Sequence, residues 1–247
     1  MRVLLGTIIA GDSKAYAVPK FEAMRERLFP DVDAVAVVDE HGRTSLPQLL
    51  DERMAGTPWA TEIVYYGKQT LRSYALRHDY DALVWQGIDC YYNSRADFDL
   101  LVKAARDYPV VGGLIAGRNR PDYAVCRRFV GKTMEQLDHH EADWPGAFLG
   151  LRVVPGYIGS DATLIRRDAL EAVTMDGYQH WHQIKDTCTL KTGALGPEEY
   201  WMWSAINRHQ IIPVIDARVR PWHAHEDLTL ARFPNQRGRL EDLTWGG

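Results

Sequence analysis

Five apolar stretches punctuate the chain: Val3–Ala10, Ala34–Val38, Ala82–Trp85, Val110–Ala116 and Ile211–Ile215. None alternates strictly between apolar and polar residues, the pattern expected of strands covered on both faces, as in a parallel sheet. Between them, apolar positions fall at helical spacing. Pro19 opens a segment in which Phe21, Met24 and Leu28 share one face, and Lys68–His78 places Leu71, Ala75 and His78 on another. Ser94 reads as an N-cap, with Asp97 three residues later and Phe98, Leu101, Val102 and Ala105 at helical spacing. Asp107-Tyr108-Pro109 closes that helix, because the residue before a proline disfavours helical dihedrals. Strand and helix in alternation predict a doubly wound α/β domain, whose ligand sits at the carboxyl ends of its strands. Those ends are Ala10-Gly11-Asp12, Asp39 and Gln86-Gly87-Ile88-Asp89.

Composition narrows the picture. The chain has 247 residues, 46% hydrophobic and 25% charged, which is globular and excludes disorder and coiled coil. A net charge of −4 argues against a protein that coats nucleic acid through its overall field. Cys90, Cys126 and Cys188 lie far apart, which fits neither a disulfide framework nor a zinc knuckle and leads us to expect a reducing, cytoplasmic compartment. Arg2, the first apolar run and Ala15-Tyr16-Ala17 faintly imitate a secretory leader, but Asp12-Ser13-Lys14 breaks the run early, so it reads as a buried strand. A local basic patch, Arg118, Arg120, Arg127, Arg128 and Lys132, is opposed only by Asp122. It is either a solubilising loop or a site for an anionic acceptor.

Four groups of residues carry candidate chemistry, each with a plain structural explanation beside the functional one. The strand that ends at Asp89 delivers a carboxylate able to hold a divalent cation on a diphosphate, or simply a solvated turn aspartate. Pro197 fits the first position of a helix, which places Glu198 and Glu199 in its first turn. There the helix dipole favours anions and lowers a carboxylate's pKa unless burial opposes it. The pairs His180/His182 and His223/His225 have a spacing that puts both members on one side of a strand, compatible with chelation or with a surface position. Of Tyr200, Trp201 and Trp203, one tryptophan is expected in the core and another in the wall of an acceptor pocket.

The ordered set of motifs resembles the GT-A glycosyltransferases of the family 2 type, with a degenerate D-x-D motif. Gly67-Lys68-Gln69-Thr70-Leu71-Arg72 is similar to the helix that carries an Arg, and Gly87-Ile88-Asp89 occupies the place of D-x-D. Val110–Leu114 is similar to the following strand, and Gly156–Arg167 to the stretch of small residues and the helix entry, Leu164-Ile165-Arg166-Arg167, beside the donor sugar. Gly196-Pro197-Glu198-Glu199-Tyr200 resembles the motif whose second acid is the base, and Asp216–His223 the late strand ending in a metal-binding His. The resemblance covers roughly 3–225 and implies an α/β, Rossmann-like GT-A fold, a mostly parallel central sheet flanked by helices. A GT-A-like domain is expected over 1–225, with 226–247 as a C-terminal tail or lid carrying Arg232, Arg237 and Arg239.

The function it implies is transfer of a sugar from a nucleoside diphosphate-sugar, UDP-sugar foremost, to an acceptor hydroxyl with inversion. Thr7, Ala10 and Asp39 would receive the base and ribose, and Lys68 and Arg72 would reach a phosphate or the base. Asp89 and His223 would hold Mn²⁺ or Mg²⁺, with Gly87 standing where the family has its first Asp. Glu199 would be the base and Glu198 would hold an acceptor hydroxyl. The acceptor is left open among glycan, lipid and a hydroxylated base of modified nucleic acid. Two other readings remain: a nucleotide-sugar-binding protein without transferase activity, motivated by the missing first Asp, and a nucleotidyltransferase. For the latter, Ala10-Gly11-Asp12-Ser13-Lys14 is a weak match to the Gly-rich basic loop it needs.

Overall fold

The computed structural model describes residues 1–11, 14–55, 60–117, 121–122, 124–130, 133–136, 150–154, 156–176 and 196–245. In chain order the elements are β1 (Val3–Ile9), α1 (Val18–Leu28), β2 (Asp33–Val38), β3 (Gln48–Leu50), α2 (Ala60–Arg77), β4 (Ala82–Gln86), β5 (Cys90–Tyr91) and α3 (Arg95–Ala104). They continue with β6 (Val110–Gly113), β7 (Cys126–Val130), β8 (Thr133–Gln136), β9 (Leu151–Val153), β10 (Gly156–Ile158), β11 (Ala162–Arg166) and α4 (Arg167–Ala172). The last are α5 (Pro197–His209), β12 (Val214–Asp216), β13 (Trp222–Ala224), β14 (Thr229–Arg232) and β15 (Gln236–Arg239). The main sheet has the order β3-β2-β1-β4-β11-β6-β12-β9. β1 pairs in parallel with β2 and β4, β2 with β3, and β6 with β12, whereas β11 and β9 run antiparallel to their neighbours.

The alternation of side chains along a strand divides the core between two faces. Val3, Leu5 and Ile9 of β1, with Ala82 and Val84 of β4, pack against Phe21 and Met24 of α1 and Phe98 and Leu101 of α3. Leu4 of β1, with Leu83 and Trp85 of β4, packs on the other face against Leu71 and Ala75 of α2 and Trp201, Met202 and Ala205 of α5. Each fully buried Leu or Phe contributes on the order of 1.5–3 kcal/mol. On that second face α2 lies close to β1, because a Cβ on Gly67 would meet Ile8 at 2.6 Å and one on Gly6 would meet Leu71 at 2.8 Å. The expected core place for one tryptophan is taken by Trp201; Trp203 is half-buried and stacks on Tyr200 with ring centroids 5.9 Å apart.

The antiparallel strand is what the hydrophobic pattern did not reveal. Leu164-Ile165-Arg166 resembles a helix entry in the sequence; in the structure it belongs to β11, inserted between β4 and β6, and the helix starts only at Arg167. Being antiparallel, β11 begins where its parallel neighbours end, which carries Ser160 and Asp161 to the carboxyl end of the sheet. α5 returns the chain to the parallel strand β12, so its N-terminus lies at that same end. The segment after 225, expected as a tail or lid, forms β14 and β15, which continue a four-stranded sheet from β5 and β13. Among the described residues no helix is long and apolar enough to cross a membrane.

Candidate functional site

A cleft opens at the carboxyl ends of β1 and β4, walled by α2 on one side and the start of α5 on the other. Ile8, Ala10, Lys14, Lys68, Asp161 and Glu198 line it, with Trp85 and Gly87.

Asp89 sits at the end of β4, fully buried. The pairing of β5 with β13 sets Cys90 opposite His223, and the N–H of Ala224 donates to the Asp89 carbonyl at 2.8 Å, so the aspartate and the histidine are fixed side by side. His223 Nδ1 lies 2.9 Å from the carbonyl oxygen of Ala116. A carbonyl only accepts, so Nδ1 carries a proton there, the arrangement that in a neutral imidazole leaves the lone pair at Nε2. That atom faces Asp89 Oδ2 at 3.7 Å, beyond hydrogen-bond reach. Two lone-pair atoms held that far apart suit a cation between them, with metal–ligand distances near 2.0–2.2 Å. The other oxygen, Oδ1, accepts from Lys14 Nζ at 3.0 Å. Among the described residues no three His, Cys, Asp or Glu side chains converge to hold an ion by themselves. The pair therefore fits an Mg²⁺ or Mn²⁺ that takes its remaining ligands from phosphate and water.

Across the cleft, Lys68 is buried, and its ammonium pairs with Glu198 Oε1 while lying 4.0 Å from the centre of the Trp85 ring. Ser160 Oγ donates to the same oxygen. Burial would raise the pKa of Glu198, but the charge and hydrogen bond of Lys68, with Ser160, outweigh it and hold this carboxyl below its usual range. Glu199, one residue on, behaves oppositely. Burial first, and the negative charge of Glu198 second, push its pKa up, against the smaller pull of its own backbone N–H, Arg127 and Lys68. Its carboxylate folds back over Gly196, the residue before the helix, where an added Cβ would collide with it. The dipole effect expected from the sequence is thus overridden by burial and by the neighbouring charge.

The two shifts have opposite linkage to folding. Glu198, depressed, contributes stability that is present above the unfolded pKa and lost as pH falls through its folded pKa. Glu199, raised, costs stability when ionised, and that cost disappears as pH falls through its folded pKa to below the ordinary value. Thermal unfolding should therefore show Glu199→Gln melting above the native protein at neutral pH and Glu198→Gln melting below it. Each kcal/mol should shift the midpoint by roughly 2–4 °C. Both differences should shrink below the ordinary carboxylate range; shifts of the same sign in the two variants would contradict the assignment.

The other candidates divide. Asp39, buried at the end of β2, accepts through Oδ1 from the N–H groups of Gly11 (3.0 Å), His41 (3.0 Å) and Gly42 (2.7 Å), which overcome burial and keep its pKa low. It ties the turn after β1, where Gly11 has φ +53°, to the rim beside Ala10. Thr7 is buried on the opposite face of β1 from Ile8 and Ala10, and its hydroxyl has no hydrogen-bond partner, so it does not reach the cleft. Arg72 also turns away, donating from Nε to the carbonyl of Leu170 at 2.6 Å; of the two cations expected on that helix, only Lys68 enters the site. Asp12, Arg118, Arg120, Lys132, His180, His182 and Cys188 lie outside the described residues. Lys14, Ser160 and Asp161 join the cleft without a signal of their own in the sequence. A lysine in a loop gives no signal, and the other two needed β11 to be recognised as antiparallel.

No protein-family model matches the chain, and neither does any curated protein sequence. Among solved structures, A197 from STIV superposes with a TM-score of 0.61, covering 97% of this chain and 94% of its own at 14% identity. The mannosyltransferase PcManGT from Pyrobaculum calidifontis, solved with GDP-Man and Mn²⁺, superposes with a TM-score of 0.50 at 11% identity. That match covers 87% of this chain and 56% of the mannosyltransferase. Likeness at such identities concerns the fold: this chain is an α/β protein with a Rossmann-like, GT-A-like architecture, as its motif order led us to expect.

Proposed function

We propose that the protein is a glycosyltransferase that moves a sugar from a nucleoside diphosphate-sugar, UDP-sugar foremost and GDP-sugar next, to an acceptor hydroxyl with inversion. The observation that carries this reading is the pairing of opposites in one cleft. A carboxylate with a raised pKa, Glu199, stands at a helix start next to Glu198 of the cleft wall, and Lys14 of the same cleft pairs with Asp89, which with His223 is spaced for a cation. In inverting transfer the acceptor hydroxyl attacks the anomeric carbon in line while the nucleoside diphosphate leaves, so a base is needed on one side and positive charge on the other.

In this reading Ala10, Gly11 and Asp39 receive the base and ribose. Asp89 and His223 hold Mg²⁺ or Mn²⁺, which when bound neutralises charge on the departing diphosphate. Lys14, already seated on Asp89, adds a second positive charge at the same place. Glu199 takes the acceptor proton. Glu198, expected to hold an acceptor hydroxyl, has Oε1 engaged by Lys68 and Ser160, so its part here is to stay charged beside Glu199 and keep that carboxyl basic. The acceptor class stays open among glycan, lipid and hydroxylated nucleic-acid base.

Product analysis tests the reaction type. Incubated with UDP- and GDP-sugars, the purified protein should release the nucleoside diphosphate, slowly to water and faster with a suitable acceptor. Release of pyrophosphate from a nucleoside triphosphate and a sugar phosphate, with no nucleoside diphosphate formed, would instead make it a nucleotidyltransferase.

A further inference from the structure

The position where the D-x-D pattern has its first acid is Gly87, and the space a side chain would need there is filled by another strand's carboxylate. A Cβ built on Gly87 would lie 2.8 Å from both Cβ and Cγ of Asp161 and 2.9 Å from its Oδ1. The backbone locks the two together: the N–H of Gly87 donates to the carbonyl of Asp161 at 3.0 Å, directly continuing the β4–β11 register, in which Gln86 faces Ala162. Gly87 is thus the residue that admits the Asp161 side chain to the floor of the cleft, where Asp161 is half-buried and faces the ligand space.

The neighbouring cations are already committed, Lys68 to Glu198 and Lys14 to Asp89. Among the described residues the Asp161 side chain has no hydrogen bond and no ion pair. It does not join Asp89 and His223 as a third metal ligand, since no such trio converges. An ionised carboxylate only accepts, and a vicinal diol offers two hydroxyl donors that match its two oxygens.

Resting on the proposed function, we infer that Asp161 binds a vicinal diol of the nucleotide-sugar donor, taking from β11 the place left by the glycine at position 87. The diol belongs either to the ribose or to the transferred sugar, and both present the same chemistry.

Calorimetry with UDP and with UDP-glucose, each with Mn²⁺, tests this on the full chain. Removing a hydrogen-bonded carboxylate should weaken binding by roughly 10–100-fold in Asp161→Ala. Loss with UDP alone assigns the ribose, and loss confined to UDP-glucose assigns the sugar. A swap separates this role from a merely structural one. Gly87→Asp alone should lose binding, because two carboxylates then compete for one space. Asp161→Gly alone should lose it too, and the pair Gly87→Asp/Asp161→Gly should recover most of it. Melting curves of all variants identify any that fail to fold, and Asp161→Asn serves as the isosteric check. Binding unchanged in Asp161→Ala and Asp161→Asn, or a folded double variant that recovers nothing, overturns the assignment while leaving the donor site intact. No binding of either nucleotide to the unaltered protein removes the donor reading itself, and this inference with it.

Discussion

Glu199→Gln is expected to lower kcat by roughly 10²–10⁴-fold, the range for loss of a general base, with the affinity for the donor nucleotide unchanged. The amide keeps the shape of the side chain at the start of α5 but cannot accept a proton. The donor contacts proposed above, at Ala10, Asp39 and Asp89, come from elements other than α5, so ground-state binding of the nucleotide should persist. On the proposed function, the unaltered protein should also lose activity as pH falls through the folded pKa of Glu199. Burial and the charge of Glu198 place that limb above the ordinary glutamate value. Weakening Glu198's charge should move the limb down: in Glu198→Gln the acid side of the profile should shift toward lower pH. A pH–rate profile of kcat for the two variants checks both statements. An acid limb that stays put in Glu198→Gln would show that some other group is being titrated.

The second large effect concerns stability. Lys68→Met should cost about 3–5 kcal/mol, the usual penalty for leaving one member of a buried ion pair without its partner. Lys68 is 5% exposed, its methylenes and ammonium packed between α2, the Trp85 ring and Glu198. Without it Glu198 keeps Ser160 and the more distant charge of Lys14, which soften the loss but do not replace a contact ion pair. The double variant Lys68→Met/Glu198→Gln should recover part of the stability, because no uncompensated charge remains. Urea unfolding should show the midpoint falling with an unchanged slope. A loss below about 1 kcal/mol would mean that the pair behaves like an exposed one.

These residues also show how far the sequence could be read. The strands and helices of the first half followed from their apolar spacing, since parallel strands covered on both faces and amphipathic helices leave unambiguous periods. Pro197 marks the start of α5, and Asp89 follows the end of β4, as the apolar run indicates. Interleaving of the sheet was not legible: β11 has the same apolar look as its neighbours, and nothing local in Leu164-Ile165 tells an antiparallel strand from a helix entry. That one ambiguity hid where Ser160 and Asp161 lie. Arg72 misled for a different reason. Its place one helical turn from Lys68 is real, but α2 presents a broad face, and the guanidinium reaches the carbonyl of Leu170 rather than the cleft. Thr7 differs by strand parity, since Gly6, Ile8 and Ala10 face the cleft and Thr7 lies on the other face of β1, with Leu5 and Ile9. The opposite pKa shifts of two adjacent glutamates come from tertiary neighbours alone, so they could not be read from the sequence.

The proposed donor site is tested most directly by a titration of UDP and GDP into the native protein and into Asp89→Ala, with and without Mn²⁺. The account predicts that one nucleotide binds, that Mn²⁺ tightens it, and that the effect of the metal disappears when Asp89 is removed. Binding that ignores both the metal and the Asp89 substitution, or no binding of either nucleotide, would contradict it.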